Sequence, residues 1–77
     1  MKVSLLFGQY VWLVDNIRRA RRISLADLSQ RWRQSDLGEG SPLSCTTFNR
    51  HRAAVEEIFG ITIACDADNR YYIVDLP

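Results

Sequence analysis

Residues 44–60, SCTTFNRHRAAVEEIFG, constrain the fold more than any other part of the chain. Ser44 is an N-cap residue type, whose hydroxyl can satisfy a free N–H of a helix's first turn. Gly60 suits the C′ position, where a left-handed backbone ends a helix. Between them Phe48, Val55, Ile58 and Phe59 recur at i, i+7, i+10 and i+11, the spacing of one buried stripe. The opposite face opens with Thr46, Thr47, Asn49 and Arg50: short hydrogen-bonding side chains and one guanidinium, all near the helix N-terminus. Arg52 and Glu56, four residues apart, are expected to pair on the surface for a few tenths of a kcal/mol.

Two helices are expected before this one. The first spans residues 5–21, with Leu6, Tyr10, Leu13, Val14 and Ile17 as its core stripe. Val11 and Trp12 lie partly off that stripe. Trp12 either packs under the N-terminal segment or, with Val11, marks a contact with another subunit or domain. Arg18-Arg19-Ala20-Arg21-Arg22 ends the helix with more cations than its macrodipole requires, and the surplus suits phosphate. The second helix starts cleanly: Ser24 is the N-cap and Asp27 completes an S-x-x-[DE] pattern. It is expected to run to residue 33 and to bury Leu25, Leu28 and Trp32. Residues 35–42 form a loop by composition, pinned by Leu37 and Leu43, with the residue before Pro42 extended.

After Gly60 the pattern changes to that of strands. Ile61-Thr62-Ile63-Ala64-Cys65 alternates, residues 66–69 are turn-like, and Arg70-Tyr71-Tyr72-Ile73-Val74-Asp75 returns. A lone hairpin is marginal in water, so this one must pack on the helices. Three helices followed by a hairpin make an α+β domain, mostly α, in the order of a winged helix-turn-helix, with residues 66–70 as the tip of the wing.

Seventy-seven residues are enough for one domain that buries about 60% of its unfolded surface. The net charge of +1 is low for a non-specific nucleic-acid binder, but it is unevenly spread. Residues 18–33 hold six arginines and one acid, Asp27, whereas Asp36, Glu39, Glu56, Glu57, Asp66, Asp68 and Asp75 gather elsewhere. Such a local basic surface can steer a polyanion. Cys45 and Cys65 lack metal-ligand spacing, and one histidine cannot complete a zinc site, so no metal or other cofactor is expected and the cysteines read as reduced thiols of a cytoplasmic protein. The apolar run Val3-Ser4-Leu5-Leu6-Phe7 is too short for a signal peptide or a membrane span. The chain stops at Pro77 directly after its last expected strand, which leads to the expectation of one domain of a longer protein.

The sequence resembles the N-terminal winged-helix domain of bacterial WYL-domain transcriptional regulators. Trp32 with Ser35, Thr47-Phe48, His51-Arg52, Ile58-Phe59-Gly60-Ile61, Cys65-Asp66 and Tyr71-Tyr72-Ile73 carry the likeness, which covers most of the chain from Tyr10 onward. It implies a DNA-binding domain followed by a C-terminal ligand-sensing domain outside this chain. A homodimer is expected of the full-length protein because a single small winged helix rarely gives enough affinity by itself. The chain departs from the family at Cys45-Thr46, where relatives carry basic residues.

Read from the residues themselves, the expected partner is double-stranded DNA. Asn49 and Arg50 are candidates for base edges, since Asn can bind adenine and Arg guanine bidentately. Ser44, Thr46 and Thr47 at a helix N-terminus suit phosphates, Arg22 and Ser24 suit the backbone from the second helix, and Arg70 suits phosphate or minor groove from the wing. The alternative is a winged-helix interaction or dimerisation module, with Val11 and Trp12 at its interface. An enzyme is not expected: His51 stands alone between two arginines, and the carboxylates show no pairing for acid–base work.

Overall fold

The computed structural model describes residues 5–37 and 42–74. Its elements are α1 (Leu5–Ala20), β1 (Ile23–Ser24), α2 (Leu25–Gln34), α3 (Cys45–Phe59), β2 (Thr62–Cys65) and β3 (Arg70–Val74). The chain is thus mostly helical, with a small antiparallel sheet of order β1-β3-β2. Ser41, expected to be extended, Glu39 in the loop, Asp75 at the end of the returning strand and Val3-Ser4 lie outside the described residues.

Both predicted caps are present. The Ser24 hydroxyl accepts from the Asp27 amide at 3.1 Å, and the Ser44 hydroxyl accepts from that of Thr47 at 3.1 Å. Gly60 ends α3 at φ +65°. The strand β1 was not expected, and Ser24 explains why it escapes notice. An N-cap residue has extended backbone angles, here φ −74° and ψ 158°, so the same residue caps α2 and closes a two-residue strand. Ile23 and Ser24 pair with Tyr71 and Arg70, which brings the start of α2 alongside the hairpin.

The core is built from Leu13 and Ile17 of α1, Ile23 of β1, Leu28 and Trp32 of α2, Leu43, Phe48 and Val55 of α3, and Ile63 of β2. Leu25, Tyr10 and Val14 pack against it half-buried. Leu43 also donates its amide to Ser29 Oγ at 3.0 Å, and Leu37 accepts from Gln9 Nε2 at 3.1 Å, so both leucines tie down the long loop. Trp12 turns inward, its ring edge-on to Trp32 at 5.3 Å.

Two expectations are corrected. Leu6, Ile58 and Phe59 belong to the apolar stripes by spacing but are exposed, because the stripes outrun the short helices and strands that could cover them. Arg52 and Glu56 do not pair with each other. Arg52 Nη2 donates to the Ile63 carbonyl at 2.6 Å, and Glu56 Oε2 accepts from the Ile63 amide at 2.8 Å. The hairpin lies against α3, and its backbone outcompetes a surface ion pair of small worth. Arg70, read both as the end of the tip and as the start of the returning strand, is the first residue of β3, and the turn before it is closed by Asn69 at φ +60°.

Candidate nucleic-acid interface

The eight predicted site residues fall into two groups. Ser44, Thr46, Thr47, Asn49 and Arg50 sit together at the cap and first two turns of α3, and Arg22, Ser24 and Arg70 sit together where β1 meets the turn end of the hairpin.

On α3 the inward positions are taken by Phe48 and Val55, so Thr46, Asn49, Arg50 and Ala53 form the outward stripe and all are exposed. Ser44 is committed as a cap and also donates to Thr47 Oγ1 at 3.0 Å, which holds both hydroxyls near the first-turn amides. Asn49 Nδ2 makes a long contact to Cys45 Sγ, 3.5 Å, which is a weak acceptor and easily exchanged. Arg50 has no side-chain partner among the described residues. Ala53, one turn further, adds only a methyl group, so a surface can approach the helix closely there. Its role is legible only once the buried face is known. No carboxylate stands on this stripe before Glu57.

The second group is organised by an acid. Asp66 Oδ1 accepts from the amides of Asp68 at 2.9 Å and Arg70 at 3.0 Å, and closes the turn. Asp66 Oδ2 accepts from Arg22 Nη1 at 2.9 Å and lies 3.5 Å from Arg70 Nε. The Arg70 amide above all, then the Arg22 side chain, the Asp68 amide and the Arg70 charge, hold the Asp66 carboxyl below its usual range against an opposing effect of partial burial. Arg70 also reaches Asp68 at 3.1 Å. Arg22 stacks over the Tyr72 ring, 4.4 Å from its centre. Both arginines are half exposed but already engaged with carboxylate, so they meet an anion as shared rather than free cations.

His51 faces away from the outward stripe. Its Nε2 lies 2.9 Å from Gln9 Oε1, and its ring meets the edges of Tyr10 and Trp32. Desolvation there lowers its pKa, favouring the neutral ring. Val11 is exposed beside Leu5, Leu6 and Phe7, and Phe7 meets Phe59 across the helices at 6.1 Å between ring centres. Cys45 and Cys65 are free and exposed. Among the described residues, no three His, Cys, Asp or Glu side chains gather to hold a metal ion, and no helix is long and apolar enough to cross a membrane. No protein family, curated protein or solved structure matches the chain.

Proposed function

We propose that this domain is a winged helix-turn-helix that binds double-stranded DNA, and that it serves a cytoplasmic bacterial transcriptional regulator of the WYL type, dimeric when complete and carrying a sensing domain beyond this chain. In this reading α3 enters the major groove, the hairpin turn lies on the backbone or in the minor groove, and α2 meets phosphates through its capped start. The observation that carries the reading is the outward stripe of α3: Thr46, Asn49 and Arg50, side chains suited to base edges and phosphates, stand exposed together on its first two turns. The element order and the β1-β3-β2 sheet support it by placing the hairpin and the α2 start side by side.

The test is a selection of duplexes from a random pool, followed by Arg50→Ala. The substitution is expected to cost about 1–3 kcal/mol on the selected sequence and to relax preference at one base position. An equal loss on every sequence would show that Arg50 meets phosphate only. Failure to retain any duplex at low salt would sink the DNA reading.

One observation favours a second reading, an interaction or dimerisation module. Leu5, Leu6, Phe7, Val11, Ile58 and Phe59 are all exposed, and Phe7 and Phe59 join α1 to α3 in one apolar surface. Sedimentation equilibrium separates the two: a dimer broken by Val11→Glu in a domain that shifts no duplex supports the module.

A further inference from the structure

We propose that the groove at the C-terminal end of α1 is a second anion site, one that takes a phosphate group and does not depend on α3 reading DNA. The groove encloses about 410 Å³ and is lined by Arg18, Arg21, Arg22, Tyr72 and Ile73. Its basic wall comes from the last turn and exit of α1, and its floor from β3. The strand register explains the meeting: one step back from the Ile23–Tyr71 pair, Arg22 comes level with Tyr72.

Arg22 is preorganised. Its guanidinium carbon lies over the Tyr72 ring, 4.4 Å from its centre, and one nitrogen is anchored on Asp66, so its remaining N–H groups are restricted in direction. Arg21 is the second mark of a site. It holds φ +68°, a conformation that glycine adopts at less cost, and its side chain has no partner among the described residues. Macrodipole stabilisation does not account for it, because Arg21 stands beyond the helix end and Arg18 and Arg19 already occupy the last turn. Backbone strain borne by an unpartnered surface arginine points to binding rather than to stability. Asp66 engages Arg22 from outside the groove lining, and Arg21 stands beside it with its charge unshared among the described residues. Several N–H forks around one space match the three or more acceptor oxygens of a phosphate better than the two of a carboxylate.

The phosphate can belong to a nucleic-acid backbone or to a small phosphorylated ligand, and two measurements distinguish the sources. In the first, isotope-labelled domain is titrated with pyrophosphate at constant ionic strength and followed by NMR. Saturable shifts are expected at the amides and side-chain Nε–H groups of Arg21 and Arg22, and not at residues 46–50. Arg21→Gly and Arg22→Gln should each weaken binding at least about fivefold, whereas Arg50→Ala should leave it unchanged. Arg21→Gly should also melt higher than the parent, because glycine takes the left-handed conformation freely, so lost affinity in that variant cannot be blamed on a damaged fold. In the second, duplex binding is measured against salt. A slope reduced by about one in Arg21→Gly assigns the phosphate to nucleic acid. An unchanged slope with lost pyrophosphate affinity assigns it to a free ligand. Absence of saturation at tens of millimolar pyrophosphate, or parental affinity retained in both groove variants, overturns the proposal whatever the duplex result.

Discussion

Gly60 and Arg21 hold nearly the same backbone conformation at the ends of two helices, φ +65° and +68°, and show two outcomes of one constraint. At Gly60 an added methyl group would touch nothing within 4 Å, so a substitution there meets only conformational cost. Gly60→Ala is expected to destabilise the domain by about 1 kcal/mol, and Gly60→Asn by less, as measured by chemical denaturation. Loss of several kcal/mol would mean that the turn into β2 depends on a contact not evident at this position. Arg21 accepts the same strain natively, which is why it carries weight as a functional residue. Asp66 is the other residue that organises its surroundings: two amides and two guanidinium groups converge on one carboxylate. Asp66→Asn should speed amide hydrogen exchange at Asp68 and Arg70 and loosen Arg22 from its place over Tyr72.

At the scale of elements, much was legible because the signals are local. Both N-caps and the Gly60 stop depend on residues within four positions of one another, and the hairpin on pairs no more than twelve apart across one turn; each formed where expected to within a residue or two. What failed depends on distant partners. The Arg52–Glu56 pair was a sound local reading, yet both side chains turn to Ile63, seven and eleven residues on. Arg22 read as a free cation, since nothing nearby announces that Asp66, 44 residues beyond it, would engage it, whereas the partners of Arg70, Asp66 and Asp68, stand only four and two residues away and were within reach of a local reading. Spacing alone marked Ile58 and Phe59 as core, but spacing records only which residues share a face and says nothing of whether another element is long enough to cover it. The outward stripe of α3 was half legible: Asn49 and Arg50 stood out by type, whereas Ala53 acquires meaning only from position. The contact of α3 with β2 yields a direct prediction. Glu56→Ala leaves the Ile63 amide without its acceptor and should cost about 1–2 kcal/mol, with faster exchange at that amide. An unchanged exchange rate would show that the bond is not populated.

Across the whole molecule, acid should act in two steps. His51 is held neutral by its half-buried place among Gln9, Tyr10 and Trp32, so its folded pKa lies below the ordinary 6.5. The unfolded chain therefore takes up this proton first. The stability tied to a neutral His51 is complete above about pH 6.5 and declines as the pH falls toward the folded value. Asp66 is depressed below 3.8, so its contribution is complete above that value and is lost only as the pH falls through the lower one. Denaturation midpoints measured between about pH 7.5 and pH 3 should show both declines, and His51→Gln, which keeps a hydrogen-bonding group without the titration, should remove the first. A flat profile between neutrality and pH 5 would mean that His51 is as well solvated folded as unfolded.

The two side chains of α3 that grip Ile63 have one more consequence. They occupy the N–H and C=O that β2 turns away from β3, and the opposite margin of the sheet is β1, only two residues long. Those two bonds close part of the outer edge of β2 to a stray strand, whether from a neighbour or from a partly unfolded copy. For crowded copies of this domain, joining edge to edge along β2 is thereby made harder than meeting through the exposed apolar side chains of α1 and α3.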